Sequence, residues 1–302
     1  MSTVSAVRAR PPAAAWPVAV LLFSATLWGL SWWPLKGFAA VGLGGPVLVL
    51  LTYGVVGAIG LPWLLRERGA WRGEGRHLLL LALVGGWANA AFVSALVLGD
   101  VVRVMLLFYL SPVWSVLGGR LFLGERLSPR RVGAVGVALA GAFLVVGGVN
   151  MFEAAFSMAD LLALSAGLAF AGNNIVSRAA QRIPMASKTV SVFAGSGVAA
   201  VLMLSLSPLA IAWPAPSLPL GAALAAYAFG WMVLATATWQ YGVTHVEAGR
   251  AGVIMVAELL IALVSASLLG QNHLAPLEWL GGALIAAAAL IEATDTPTIA
   301  HP

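Results

Sequence analysis

One carboxylate stands inside an otherwise apolar run. The stretch VIMVAELLIALVSASLLG, residues 253 to 270, has the length and composition of a membrane helix, with Glu258 near its middle. An acid at that depth costs about 2.5–3.5 kcal/mol even on the most lenient insertion scale. Three chemistries are open to it: coupling to protons or another cation, binding a substrate ammonium, or a structural hydrogen bond to a neighbouring helix. Asn89, Asn173 and Asn174 lie in other apolar runs. An amide donates and accepts without adding charge, which suits a zwitterion, and interhelical bonding is the alternative use. Trp28 and Trp32 are four apart, on one helical face if the helix is continuous. With Trp231 they can either stack on a flat ring or pack the bundle. Tyr109 and Ser111 precede Pro112, which removes a backbone N–H and leaves a carbonyl open, making it a candidate hinge. Thr238 adds a hydroxyl. The expected lining of a pocket for a small amphiphilic solute is therefore Trp28, Trp32, Asn89, Tyr109, Ser111, Asn173, Asn174, Trp231, Thr238 and Glu258.

Nothing in the chain assembles a catalytic centre. There is no HExxH, no GxSxG and no pair of aspartates within an apolar run. His77, His245, His273 and His301 all fall at the ends of apolar runs or in the tail, and there is no cysteine. An enzyme is not expected, nor is a metal or cofactor.

The elements that carry these residues follow from composition. Only 9% of the 302 residues are charged, against about a quarter in a soluble domain. Cutting at charges, Pro and Gly leaves ten apolar runs, roughly 16–37, 44–65, 78–98, 101–122, 131–149, 160–180, 189–207, 219–240, 250–269 and 276–293. The reading is an all-α membrane protein of ten transmembrane helices. A tight turn at Gly99–Asp100 divides the third and fourth, and a Pro-rich loop starts at Ser207. The run after Arg8 and Arg10 is too long for a signal-peptide core.

The net charge of +5 is membrane topology rather than a nucleic-acid signal. With the N-terminus inside, the inner segments hold Arg8, Arg10, Arg66, Arg68, Arg72, Arg76, Arg120, Arg126, Arg130, Arg131, Arg178, Arg182, Lys188 and Arg250. Only Lys36 and Arg103 fall outside, either to attract a carboxylate at the outer mouth or to snorkel to headgroups. An even number of spans returns Glu292 and Asp295 to the inside. Both termini are expected in the cytoplasm of a bacterial cell, with the chain in its inner membrane. Trp16, Trp63, Trp71, Trp213 and Trp279 sit at span ends, as belt residues do. Gly136 and Ala140 form a small-xxx-small surface, expected to pack within a monomer.

The segment LFYLSPVWSVLGGRLFLGERLSPRRVGAVGVALAGAFLVV from Leu107 returns, weakly, as IMVAELLIALVSASLLGQNHLAPLEWLGGALIAAAALIE from Ile254. The offset is about 146 residues, so residues 1–150 and 151–302 read as two five-span repeats. An odd number of spans per repeat inverts the second, the signature of alternating-access carriers with a site near midplane. At that offset Glu258 aligns with Pro112.

The motif LSPVW...LFLGERLSPRR, with LWG at Leu27–Gly29 and the following Lys36, resembles the EamA type of the drug/metabolite transporter superfamily. Within it, the Trp and Asn content is most similar to bacterial aromatic amino acid exporters of the YddG type. The resemblance implies a basket-like ten-helix carrier exporting small metabolites, aromatic or other hydrophobic amino acids first. A proton-coupled exporter of lipophilic cations using Glu258 is the alternative. The family's motif residues carry over to Pro112, Gly124 and Glu125. The second half departs from the pattern, with Glu258 for Pro and Gly270–Gln271 for Gly-Glu. Expected partners are the small-molecule substrate and membrane lipids, with no nucleic acid.

Overall fold

The computed structural model describes residues 15–98, 101–125, 127–145, 156–206, 213–269 and 276–294. Arg8, Arg10, Gly99, Asp100, Arg126, Ser207, Gly270, Gln271, His273, Asp295 and His301 lie outside the described residues, as do the side chains of Arg103 and Glu292. All regular structure among the described residues is helical. Where described, each apolar run of the sequence forms helix, as buried backbone polar groups in lipid require.

The first half holds α1 (Ala15–Gly29), α2 (Trp32–Ala40), α3 (Gly45–Val49), α4 (Val55–Arg66), α5 (Gly75–Leu98), α6 (Val101–Phe108), α7 (Ser111–Leu123) and α8 (Pro129–Val145). The second holds α9 (Met158–Ala179), α10 (Met185–Leu206), α11 (Leu218–Ala225), α12 (Val233–His245), α13 (Ala248–Met255), α14 (Ala257–Leu268) and α15 (Pro276–Thr294). Wider π-helical turns, Leu50–Gly54 and Ala226–Met232, join α3 to α4 and α11 to α12. Six stretches are each long and apolar enough to cross a membrane: Ala15–Ala40, Gly45–Gly69, Gly75–Leu96, Met158–Ala179, Met185–Leu206 and Leu218–His245. The remaining runs form α6–α7, α8, α13–α14 and α15, which are shorter, divided or less uniformly apolar.

Two of the divisions correspond. Leu110 breaks α6 from α7 at φ −72°, ψ −11°. Val256 breaks α13 from α14 at φ −64°, ψ −18°. The carbonyls at the two breaks accept equivalent bonds, from Val113 N (3.0 Å) and Leu259 N (3.1 Å). Both pairs of positions are 146 residues apart, the offset read from sequence. Pro112 and Glu258 are each the second residue of the helix that follows. A helix start accommodates both: the proline's missing N–H is one of the orphans there, and an acid is favoured by the exposed N–H dipoles.

Helices meet through residues without side chains. A methyl group on Gly195 of α10 would overlap the Ala82 carbonyl of α5, and one on Gly86 would overlap Gly195. Gly141 of α8 lies against the Gly281 carbonyl of α15. Gly136 and Ala140 do not serve this purpose: both face outward, and the Cβ position of Gly136 opens onto empty space. The expectation that they pack α8 within the monomer is therefore corrected to Gly141, one residue round the helix from Ala140. α1 runs antiparallel to α12, with Leu21 on Gly242, Ser24 Oγ donating to Ala235 O (2.7 Å) and Trp231 Nε1 donating to Leu27 O (3.1 Å). The apolar core falls into two main clusters, one around α6–α8 and α12–α14, the other around α3, its π-helical turn and α10.

Candidate functional site

A small central cavity lies at the seam between the two clusters. Trp28 packs on one cluster, Phe92 and Phe170 on the other. Its two adjoining chambers, of about 40 and 30 Å³, share Trp28, Ala88, Asn89, Phe170 and Trp239. Phe92, Phe108 and Glu258 complete the first; Gly85, Asn173, Val192, Thr236 and Gln240 complete the second. The rings form a continuous wall: Phe92 to Phe108 at 4.3 Å, Phe108 to Phe170 at 5.6 Å and Phe170 to Trp239 at 5.2 Å between centroids. An apolar cavity of roughly 150 Å³ is needed to hold a benzene ring. Each chamber is smaller than that.

Polar groups punctuate this wall. Asn89 Nδ2 donates to Ser196 Oγ (3.1 Å), and its oxygen has no donor among the described residues. Asn173 Oδ1 accepts from Gln240 Nε2 (3.0 Å). Glu258 comes from the first turn of α14, held close to α1 because Gly29 leaves room for the Glu258 carbonyl, 2.6 Å from where a Cβ would sit. Its carboxylate makes no hydrogen bond or ion pair with a described residue, and lies within electrostatic reach of Tyr53 and Tyr109. It stands in the first turn of α14, a position at which a helix favours an acid.

Toward the end of the bundle that carries the arginines, the cavity is bordered at Gln240 by a hydrogen-bonded plug. Ser177 Oγ donates to Gln240 Oε1 (2.6 Å), and Thr244 Oγ1 to the Gln240 carbonyl (2.7 Å). Fully buried Lys188 donates to Ser177 O (2.8 Å) and Thr244 Oγ1 (2.9 Å), and Arg178 donates to Thr244 O (2.9 Å). Beyond the plug a clasp joins the two halves. Gly124, at φ +68°, turns the chain out of α7, and Glu125 accepts from the N–H groups of Ala248 (2.8 Å) and Gly249 (3.3 Å) at the start of α13. Arg131 pairs with Glu247 beside it. Burial raises the Glu125 pKa; the two N–H groups oppose that shift without cancelling it. The opposite end is looser. There an apolar groove of about 840 Å³ runs between α1–α2 and α11 with its π-helical turn, past Trp33, Phe38, Tyr227 and Trp231.

The family profile of EamA-like transporters matches residues 15–147 and again residues 157–293. The chain belongs to the EamA-like transporter family. This transporter is 27% identical, over 250 residues, to a riboflavin transporter of Rhizobium johnstonii, covering 79% of this chain and 77% of that protein. A solved crystal structure, described only as that of a protein, superimposes with a TM-score of 0.74 at 21% identity, over 92% of this chain and 98% of the other. That likeness is one of fold. A small-molecule carrier is not an enzyme, and the multi-pass helical architecture fits a membrane location.

Of the residues singled out from sequence, the transporter brings Trp28, Asn89, Asn173 and Glu258 to the cavity. Others lie apart for identifiable reasons. The helix breaks after Gly29, so Trp28 and Trp32 do not share a face; Trp32 Nε1 reaches Ser265 Oγ on α14 (3.0 Å), with the Lys36 ammonium 5.9 Å from its ring. Trp231 lines the outer groove. Tyr109 is packed in the core against Phe108, and Ser111 Oγ lies on Met255 Sδ (3.4 Å), where the two breaks face each other. Thr238 bonds back to Leu234 O (2.7 Å), as helical threonines do. Asn174 stands behind the wall and accepts from Trp239 Nε1 (3.1 Å). Phe92, Phe108, Phe170, Trp239 and Gln240 also line the cavity without belonging to the expected lining, although the sequence puts Phe92 on the helical face of Asn89, Phe170 on that of Asn174, and Gln240 as a polar residue in the run of Thr238. The available signal was helical spacing, since Phe92 and Phe170 lie three residues from Asn89 and Asn173.

Proposed function

We propose that this transporter is an alternating-access carrier of small flat amphiphiles, with aromatic and hydrophobic amino acids as its first substrate class, exporting them across a bacterial inner membrane. Ten spans in two inverted repeats, with both termini cytoplasmic, are part of the same reading. The observation that carries it is the wall of Trp28, Phe92, Phe170 and Trp239 interrupted by Asn89, Asn173 and one carboxylate, Glu258, that has no partner among the described residues. Rings stack on the aromatic side chain of a substrate, the amides meet its carboxylate, and Glu258 meets its ammonium. The paired breaks at Leu110 and Val256, facing each other across α7 and α13, supply equivalent hinges for the two repeats. Pro112 fixes one of them. In this cycle the plug at Lys188 and the clasp at Glu125 keep the arginine-rich end shut while the opposite end admits or releases solute.

The riboflavin-transporting relative favours a second substrate, a flat heterocycle whose edge offers amide-like donors and acceptors to Asn89 and Asn173. Counterflow in proteoliposomes separates the readings. Labelled tryptophan and phenylalanine are expected to exchange, and alanine much less. Exchange of riboflavin instead would select the heterocycle. Exchange of a lipophilic cation alone would overturn both.

A further inference from the structure

At the arginine-rich end, where α5 begins and α9 ends, a separate bowl of about 460 Å³ opens outward. Three guanidinium groups line it, Arg76, Arg178 and Arg182, against a single carboxylate, Glu74. That carboxylate faces His77, 3.6 Å from its Nδ1. Arg178 is half-buried at the back and already donates to Thr244 O. Arg76 and Arg182 are exposed and make no hydrogen bond or ion pair with a described residue. The first turn of α5, a helix of 24 residues, contributes Arg76 and His77 to the same rim, with the His77 N–H donating to Glu74 O (2.9 Å). The carbonyl end of α9 is also there, and Arg178 offsets it.

Arginines at one end of a bundle ordinarily follow the charge bias of membrane topology. Arg66, Arg68 and Arg72 fit that account, being exposed and outside the bowl. Arg76 and Arg182 differ, because they come from separate segments, the first turn of α5 and the turn that follows α9, and line one concavity with an excess of positive charge. Forked guanidinium groups around a helix start match the tetrahedral oxygens of a phosphate. The position at the ends of membrane-crossing helices places the bowl in the headgroup layer, where basic pockets between helices take anionic lipids.

We propose that this bowl is a binding site for an anionic phosphodiester, the headgroup of a membrane phospholipid, held by Arg76 and Arg182 with Arg178 behind. A headgroup there ties the start of α5 to the end of α9, the helices that carry Asn89 and Asn173. It therefore stabilises the closed end of the transporter.

The test is thermal unfolding of the full chain in detergent with added short-chain phosphatidylglycerol, phosphatidylcholine of the same chain length, or inorganic phosphate. Phosphatidylglycerol is expected to raise Tm along a saturating curve, and phosphatidylcholine is not. The double variant Arg76→Gln/Arg182→Gln should lose that rise. The double variant Arg68→Gln/Arg72→Gln removes the same charge outside the bowl and should keep it. An equal rise with inorganic phosphate, lost in the same variant, would support the anion site and reassign its source to free phosphate. Equal loss in both double variants, or no rise with any anion, would overturn the proposal.

Discussion

Glu258 and Pro112 answer the same structural need by different chemistry. Each is the second residue of a helix that restarts in the interior of the bundle, after a break of nearly the same backbone angles. The position needs a residue content to begin a helix; proline does so by lacking a donor, and an acid by facing the N–H dipoles. Glu258→Pro should therefore fold, with stability changed by about 0.4–1 kcal/mol, the usual range for proline at a compatible site. Substrate exchange should fall sharply, because the carboxylate is gone. Failure of Glu258→Pro to give a folded protein, while Glu258→Gln does, would refute the equivalence. Glu125 is a different acid, outside the membrane-crossing segments. Because burial raises its pKa in the folded protein, its contribution is full at acid pH and is lost as pH rises from the ordinary carboxylate range through the raised value. Tm should decline over that window in the wild type and flatten in Glu125→Gln. A parallel decline in both proteins would assign the dependence elsewhere. The presence of Glu258 in a helix was legible in the sequence. That it would sit at a helix start was not, because Val256 has no proline to announce the break.

Among the elements, contact distance decides what each position tolerates. The approach of α5 to α10 leaves no volume for a methyl group at Gly195, whereas Gly136 on α8 faces open space. Gly195→Ala should destabilise by about 1–3 kcal/mol or prevent assembly, as overpacking does. Gly136→Ala should be neutral or stabilising by up to about 1 kcal/mol. Thermal melts of the two variants side by side check the contrast, and equal Tm values would contradict it. Apolar runs, and hence helices, could be read from composition with nearly the right limits. Which glycines pack could not, since Gly136 and Gly141 sit in the same GAVGVALAG stretch and differ only in rotation about α8. Rotation about a helix also decides the site. Asn89 and Asn173 have ring-bearing neighbours three residues away, while the pairing of Trp28 with Trp32 assumed a continuous helix that ends at Gly29.

At the scale of the whole transporter, the two ends are built differently. One has a plug of buried hydrogen bonds and a clasp across the halves; the other has a wide apolar groove. Opening the plugged end must separate Lys188 from Ser177 O and Thr244 Oγ1. Lys188→Met keeps the bulk and removes the bonds, so it should favour opening at the arginine-rich end. A cysteine at Ala88, in the cavity wall, reports this because the chain has none of its own. Its labelling by an impermeant thiol reagent from the arginine-rich side should rise several-fold in Lys188→Met. Unchanged labelling would show that the plug is not what bars access. The family could be read from the first-half motif and the near-repeat. The plug could not, because Ser177, Lys188, Gln240 and Thr244 come from three helices and carry no spacing signature.

The unlike residues at the two matching breaks have an electrical consequence. Pro112 is indifferent to the membrane potential. Glu258, about ten residues and hence roughly 15 Å along its run, stands part-way through the field. Moving one elementary charge across the whole membrane is worth about 2.3 kcal/mol per 100 mV, and a charge carried over part of that depth experiences the corresponding share. When the carboxylate is ionised, rearrangement of the α13–α14 break moves charge in the field, while rearrangement of the α6–α7 break at Pro112 moves none. The two breaks then respond differently to voltage although their backbone angles are nearly the same. Exchange measured in liposomes clamped at opposite potentials should show a polarity dependence that Glu258→Gln abolishes, and an unchanged dependence in that variant would exclude Glu258 as its source.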